Sequence, residues 1–158
     1  MADSRERQIQ DAVMGVLGDA ADELMIDARP VRLLTLFPES RFQQRALPAV
    51  VVERFRETNT EAFTHGEDSM TYAADVWMID AFKPSPEGEE DCRERLANLR
   101  ERVEAALWVE PYLRLEVYSV MPGFWRLEQI DELPTQLGNK LMRLRCRMEV
   151  PLIVQKRS

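Results

Sequence analysis

One histidine, His65, and two cysteines, Cys92 and Cys146, are all the imidazole and thiol in this 158-residue chain. That scarcity excludes much chemistry. A Ser-His-Asp triad needs a histidine in the core beside its serine, whereas His65 falls in a polar stretch where a solvated side chain is the ordinary state. An imidazole-based metal centre is excluded on the same ground, and neither cysteine has a histidine neighbour to activate it. Both cysteines fall on apolar stripes, which predicts reduced core residues and not a disulfide framework or a metal site. Glycine is sparse, six residues, and none builds a GxGxxG or phosphate-loop pattern; Gly15-Val16-Leu17-Gly18 lies inside a helical stripe. No cofactor is implied. No run approaches the roughly 20 apolar residues that a membrane span requires, and no signal-peptide apolar stretch follows MADSRERQIQ. These absences predict a chain without a membrane segment, working in a reducing cytoplasm or in a particle assembled there.

What is present describes an ordinary folded protein, 45% hydrophobic and 31% charged. The length suits a single domain over residues 1–158, one that buries roughly two-thirds of its unfolded surface. A net charge of −7 argues against nucleic-acid binding by the whole surface, and no sequence-specific binding is expected. A local basic patch remains open: Lys140, Arg143, Arg145, Arg147, Lys156 and Arg157 stand against one acid, Glu149, in the final segment.

That segment, Leu141 to Val154, has the clearest pattern. Met142, Leu144, Cys146, Met148, Val150, Leu152 and Val154 share one side, and Leu141, Arg143, Arg145, Arg147 and Glu149 the other. Strand side chains alternate between faces, so the spacing predicts a long strand with one apolar and one arginine-lined face. Earlier, Asp3 or Ser4 can cap a helix whose stripe is Ile9, Val13, Val16, Leu17, Ala20, Leu24 and Met25. Val31 to Phe37 is a short predicted strand, followed by the polar connector ESRFQQRA. Ala49 to Phe55 and Met70 to Phe82 are predicted to pair as a hairpin. A polar loop, residues 57–69, would join them; its length marks it as functional or mobile. Thr60, Phe63 and His65 within it are candidate contact residues. Lys83-Pro84-Ser85-Pro86-Glu87-Gly88 makes a turn, and Glu89, Glu90 and Asp91 then open a second helix, where negative charge suits the helix dipole. Cys92, Leu96, Leu99, Val103, Ala106 and Leu107 form its stripe. Leu113 to Tyr118 and Phe124 to Ile130 read as further strands around a Met121-Pro122-Gly123 turn, and 133–140 as a loop. The order predicts an α+β fold, a mixed, mostly antiparallel sheet with two amphipathic helices on one face.

Asp75 and Asp80 are the one carboxylate pair to consider for acid–base work; a solvent-facing or arginine-paired role is the plainer reading, and no enzyme is expected. For the arginine row, the plain reading is the water-facing side of a one-sided sheet, paired with Glu116 or Glu53. The alternative is an interface in which the row meets an acidic patch of another subunit, such as Glu87 to Asp91.

The layout resembles the tail terminator proteins of long-tailed bacteriophages, also called tail completion or minor tail proteins. The resembling parts are the opening helix, RPVRLLTLFP, LPAVVVERFRET, MTYAADVWMIDAFKP, CRERLANLRERVEAAL with EPYLRLEVYS, and LMRLRCRMEVPLIV. The resemblance rests on element order and texture over nearly the full chain. It implies a structural virion protein at the tail–neck junction. Such proteins form a hexameric ring that ends tail-tube growth and meets the head-completion (neck) proteins, with no catalytic residues. Another head–tail connector protein and a cellular ligand-binding or regulatory α+β domain are the alternatives.

Overall fold

The computed structural model describes residues 4–35, 47–115, 119–120, 125–138 and 140–155. Asp3, the connector at 39–46, Glu116 and the 121–123 turn lie outside them, as do Val117 and Tyr118.

Helix α1 spans Arg5–Asp19 and is capped by Ser4, whose hydroxyl accepts from the Arg7 amide, satisfying one of the unpaired donors of the first turn. Its buried residues are Ile9, Val13, Val16 and Leu17, one face of a 3.6-residue repeat. Leu24 is also buried, but beyond the helix end. Strands β1 (Met25–Ile26) and β2 (Arg29–Pro30) make a small ribbon turned by Asp27 and Ala28, both at positive φ. Strands β3 (Arg32–Leu34) and β4 (Ala49–Val52) pair in parallel. Strands β5 (Arg56–Thr64) and β6 (Glu67–Ala81) follow, then α2 (Pro86–Trp108), capped by Ser85 with Pro86 in its first turn. Short strands β7 (Ser119–Val120), β8 (Arg126–Gln129) and β9 (Thr135–Leu137) precede the long β10 (Leu141–Gln155).

Strands β6 and β10 are the frame. They pair antiparallel along fifteen consecutive positions, from Leu141 against Ala81 to Gln155 against Glu67. Strand β4 lines the Ala81 half of the outer edge of β6 and β5 the other half; β7, β8 and β9 do the same along β10. The fold is α+β with a mostly antiparallel sheet. On one face, Tyr72, Ala74, Val76 and Met78 join Met142, Leu144, Cys146, Met148, Val150, Leu152 and Val154. The stripes of α1 and α2 pack onto that face and complete the main core. Burying one such leucine is worth about 1.5–3 kcal/mol, so the two stripes over seven β10 side chains supply the larger part of what holds the helices down. The other face carries a smaller apolar cluster, Val51, Trp77 and Ile79, with Leu34 and Leu47 against it.

Three expectations need correction. The 57–69 stretch is no loop: β5 pairs with β6 from Arg56 against Ala73 to Thr64 against Glu67, with bulges after Glu57 and Ala62, and only His65-Gly66 turns the chain. Backbone pairing holds it, although every β5 residue is exposed. Leu113 to Leu115 is no strand either. Leu113 and Arg114 have φ of 54° and 55°, a left-handed turn after α2. Leu113 turns fully into the core, and Arg114 reaches Asp19 and Glu110. Within the expected 133–140 loop, Thr135–Leu137 pairs with β10.

Candidate functional site

The sheet face opposite the two helices is the candidate site. The alternation of β10 sends Arg143, Arg145 and Arg147 onto it, opposite Ile79, Trp77 and Asp75 of β6. Each arginine is partly engaged there. The guanidinium carbons of Arg143 and Arg145 stand 4.7 and 5.6 Å from the centroid of the Trp77 ring, at cation–π range. Trp77 in turn donates from Nε1 to Glu53 Oε1 at 3.1 Å. Arg145 donates to Asp75 Oδ2 at 3.2 Å, and Arg147 Nε lies 3.4 Å from Glu149 Oε1. Glu149 also accepts from Arg126 of β8 at 2.9 Å. Of the two acids expected to answer the row, Glu53 is present on this face and binds Trp77 instead, while Glu116 lies outside the described residues. Trp77 is only 9% exposed beneath its two arginines, so it offers no stacking platform to a nucleic-acid base.

Beside the row, where β4 gives way to β5, a cleft of about 580 Å³ opens. Arg54 and Arg56 reach it from one side, Arg145 and Arg147 from the other, with Glu53 and Asp75 between. Sequence reasoning missed Arg54 and Arg56. The only signal was their alternation after the valine run, and it cannot reveal which strand β5 will lie against. Arg54 is turned toward α1, where Glu6 accepts from it at 3.0 Å.

The remaining predicted contact residues are spread apart. Thr60 and Phe63 sit on the exposed β5 arm and His65 at its tip; Phe63 is half exposed. The arm begins at the Arg147 end of the row, because Arg56 faces Ala73 two positions beyond Asp75. Glu87, Glu89, Glu90 and Asp91 occupy the first turns of α2, on the helix-covered side and near the opposite end of β6. The chain therefore does not bring its arginine row and its acidic turn together. A further exposed apolar surface, Trp108, Val109 and Tyr112, closes α2, with the Trp108 ring 4.4 Å from buried Trp125.

The two aspartates considered for acid–base work fall on opposite faces, as an odd and an even position of one strand must. Asp75 lies on the open face. Asp80 is fully buried on the helix side, where Arg29 Nη2 donates at 2.9 Å, Arg95 Nε at 3.1 Å and the Ala81 amide at 2.8 Å. It is a clamp joining the β1–β2 ribbon, β6 and α2. Cys92 and Cys146 are both buried and free, and burial pushes their thiols up to about 11 and about 12. They are poor nucleophiles. Among the described residues no group of three or more His, Cys, Asp or Glu side chains is arranged to hold a metal. No helix among them is long and apolar enough to cross a membrane.

Comparison with known proteins adds nothing to these assignments: no family model and no curated protein matches the chain.

Proposed function

We propose that this protein is a structural virion component, a tail terminator. It would form a hexameric ring that ends the growth of a phage tail tube and presents a surface to the neck proteins. The observation that carries the reading is the row of Arg143, Arg145 and Arg147, half-buried on the sheet face opposite the helices and flanked by an exposed β-arm. The acidic turn at Glu87, Glu89, Glu90 and Asp91 lies on the helix side of the sheet, past the Ala81 end of β6 and away from the arm. Two unlike surfaces of opposite charge on opposite sides of one subunit suit a head-to-tail contact, and such contacts close into rings when the rotation allows. Thr60, Phe63 and His65 on the arm then reach toward the tube or neck partner. The family resemblance of element order supplies the remaining support. A ligand-binding domain would enclose an apolar pocket; the cleft here is open and ionic.

Native mass spectrometry and negative-stain microscopy of the purified protein, alone and with tail-tube protein, test the reading. Six-fold rings in either sample are the expected result. A monomer or a two-fold dimer in both samples overturns it.

A further inference from the structure

The cleft at the β4–β5 junction has donors to spare. Arg56 is exposed and makes no hydrogen bond or ion pair among the described residues. Arg145 and Arg147 each keep Nε shut away from solvent without a hydrogen-bonded acceptor, the Arg147 contact to Glu149 being misaligned. Both side chains are nonetheless 42% exposed, so their outer nitrogens face whatever enters. A guanidinium has five N–H donors, and these use few of them. In a chain of net charge −7, four arginines against two carboxylates around one cleft mark a site for an anion.

Spacing narrows the anion. Arg145 and Arg147 are two residues apart on one strand, about 7 Å. An extended peptide laid along β10 repeats its own same-side groups at the same interval, so carboxylates at alternate positions meet both arginines in step. A helix offers same-side groups three or four residues apart, at about 5–6 Å, and falls out of step. The acidic turn of a second copy, residues 87–91, is helical and therefore suits the Arg143 end of the row, outside the cleft, better than the cleft itself. Glu53 and Asp75, set among the arginines, oppose an unbroken row of phosphates but can accept from the amides and hydroxyls of a peptide.

The geometry points to an extended acidic segment of a partner protein, with carboxylates at alternate positions, as the occupant of this cleft. Arg145, Arg147 and Arg56 bind its carboxylates, and Glu53 and Asp75 receive the donors between them. The assignment names the partner chemistry at the arginine face, and it rests on the reading of that face as an interface.

Fluorescence anisotropy with the full chain tests it. The probes are a labelled nonapeptide Gly-Ser-Glu-Thr-Glu-Thr-Glu-Ser-Gly, its isomer with three adjacent glutamates, and a labelled nine-nucleotide single-stranded DNA. The alternating peptide is expected to bind tightest and to weaken with salt. Arg56→Gln, which removes no internal contact among the described residues, should weaken it about threefold to fivefold, the upper range for an exposed ion pair. Arg147→Gln should do the same, while Glu101→Gln, exposed on α2 on the far side of the sheet, changes nothing. Equal binding of the two isomers, tighter binding of the DNA, no binding of either peptide, or indifference to Arg56→Gln overturns the assignment. Rings without a preference for the alternating peptide sink the cleft assignment alone. Peptide binding without rings sinks the terminator reading and leaves the cleft standing.

Discussion

Replacing Asp80 by asparagine removes one negative charge from the best-connected buried group among the described residues. Its two oxygens hold Arg29, at 2.9 and 3.4 Å, Arg95 at 3.1 Å and the Ala81 amide at 2.8 Å, with no solvent exposure of its own. Breaking a buried ion pair from one side costs about 3–5 kcal/mol, because the surviving charge stays buried without its partner. Here the partners are not fully enclosed. Arg29 is 43% and Arg95 23% exposed, so water recovers part of their solvation. We therefore expect a loss of ~2–4 kcal/mol. Asparagine keeps the size and one oxygen for the Ala81 amide, but its NH2 replaces the oxygen that accepts from Arg29 and Arg95, so the charge and those two accepted hydrogen bonds are lost together. In urea, with a slope of about 2 kcal/mol/M, the midpoint should fall by about 1–2 M. Asp75→Asn is the internal control: a partly exposed carboxylate with one arginine, worth about 0–1 kcal/mol. If the two variants unfold within about 0.5 kcal/mol of each other, the clamp is not what holds the β1–β2 ribbon and α2 to the sheet.

Three further outcomes follow from the structure. With burial raising both thiols, Cys92 and Cys146 should resist iodoacetamide at pH 8 in the native state and both react in urea; prompt native labelling would contradict their burial. The folded state holds those protons more tightly than the unfolded chain, whose thiols titrate near 9.0. The thiol contribution to stability should therefore be level below pH 9 and decline as the pH climbs toward about 11, a slope that Cys92→Ala should reduce. On the arm, β5 amides bonded to β6 should exchange more slowly than those of an unfolded chain, and Phe63→Ser should cost under about 0.5 kcal/mol while reducing assembly; coil-like exchange in β5 would refute the strand. Changing Arg143, Arg145 and Arg147 together to glutamine should leave a folded monomer, weakened by ~1–2 kcal/mol through loss of the Trp77 and Asp75 contacts, and should abolish rings by native mass; unchanged assembly would separate the row from any interface.

The helix stripes and the alternation of β10 were legible because one side of each element is buried and the other is not, which imprints a period on the residue types. Cys92, Leu96, Leu99, Val103, Ala106 and Leu107 are all buried as their spacing predicts. Strand β5 carries no such imprint. Both of its faces are exposed, so Glu57, Thr58, Asn59, Thr60 and Glu61 look like a loop, and only the threonines hint at a strand. At Leu113 the opposite happened: a true alternation of Leu113, Arg114 and Leu115 arises from a left-handed turn that buries one leucine and sends the arginine to Asp19. The cleft was invisible for a different reason. Arg56 and Arg147 are far apart in sequence, and they share a surface only because β5 and β10 flank β6 at matching registers.

The unbroken pairing of β6 with β10 also decides where the chain can change length. A one-residue insertion before Arg143 in β10 would exchange the faces of everything beyond it, driving the three arginines toward the helices and Cys146 and Met148 onto the opposite face. An insertion at His65-Gly66 only lengthens the tip of an arm whose strand β5 is exposed throughout. Variation in chain length should therefore gather at the arm, leaving the frame at one fixed count, so that the reach of the protein can evolve independently of its fold.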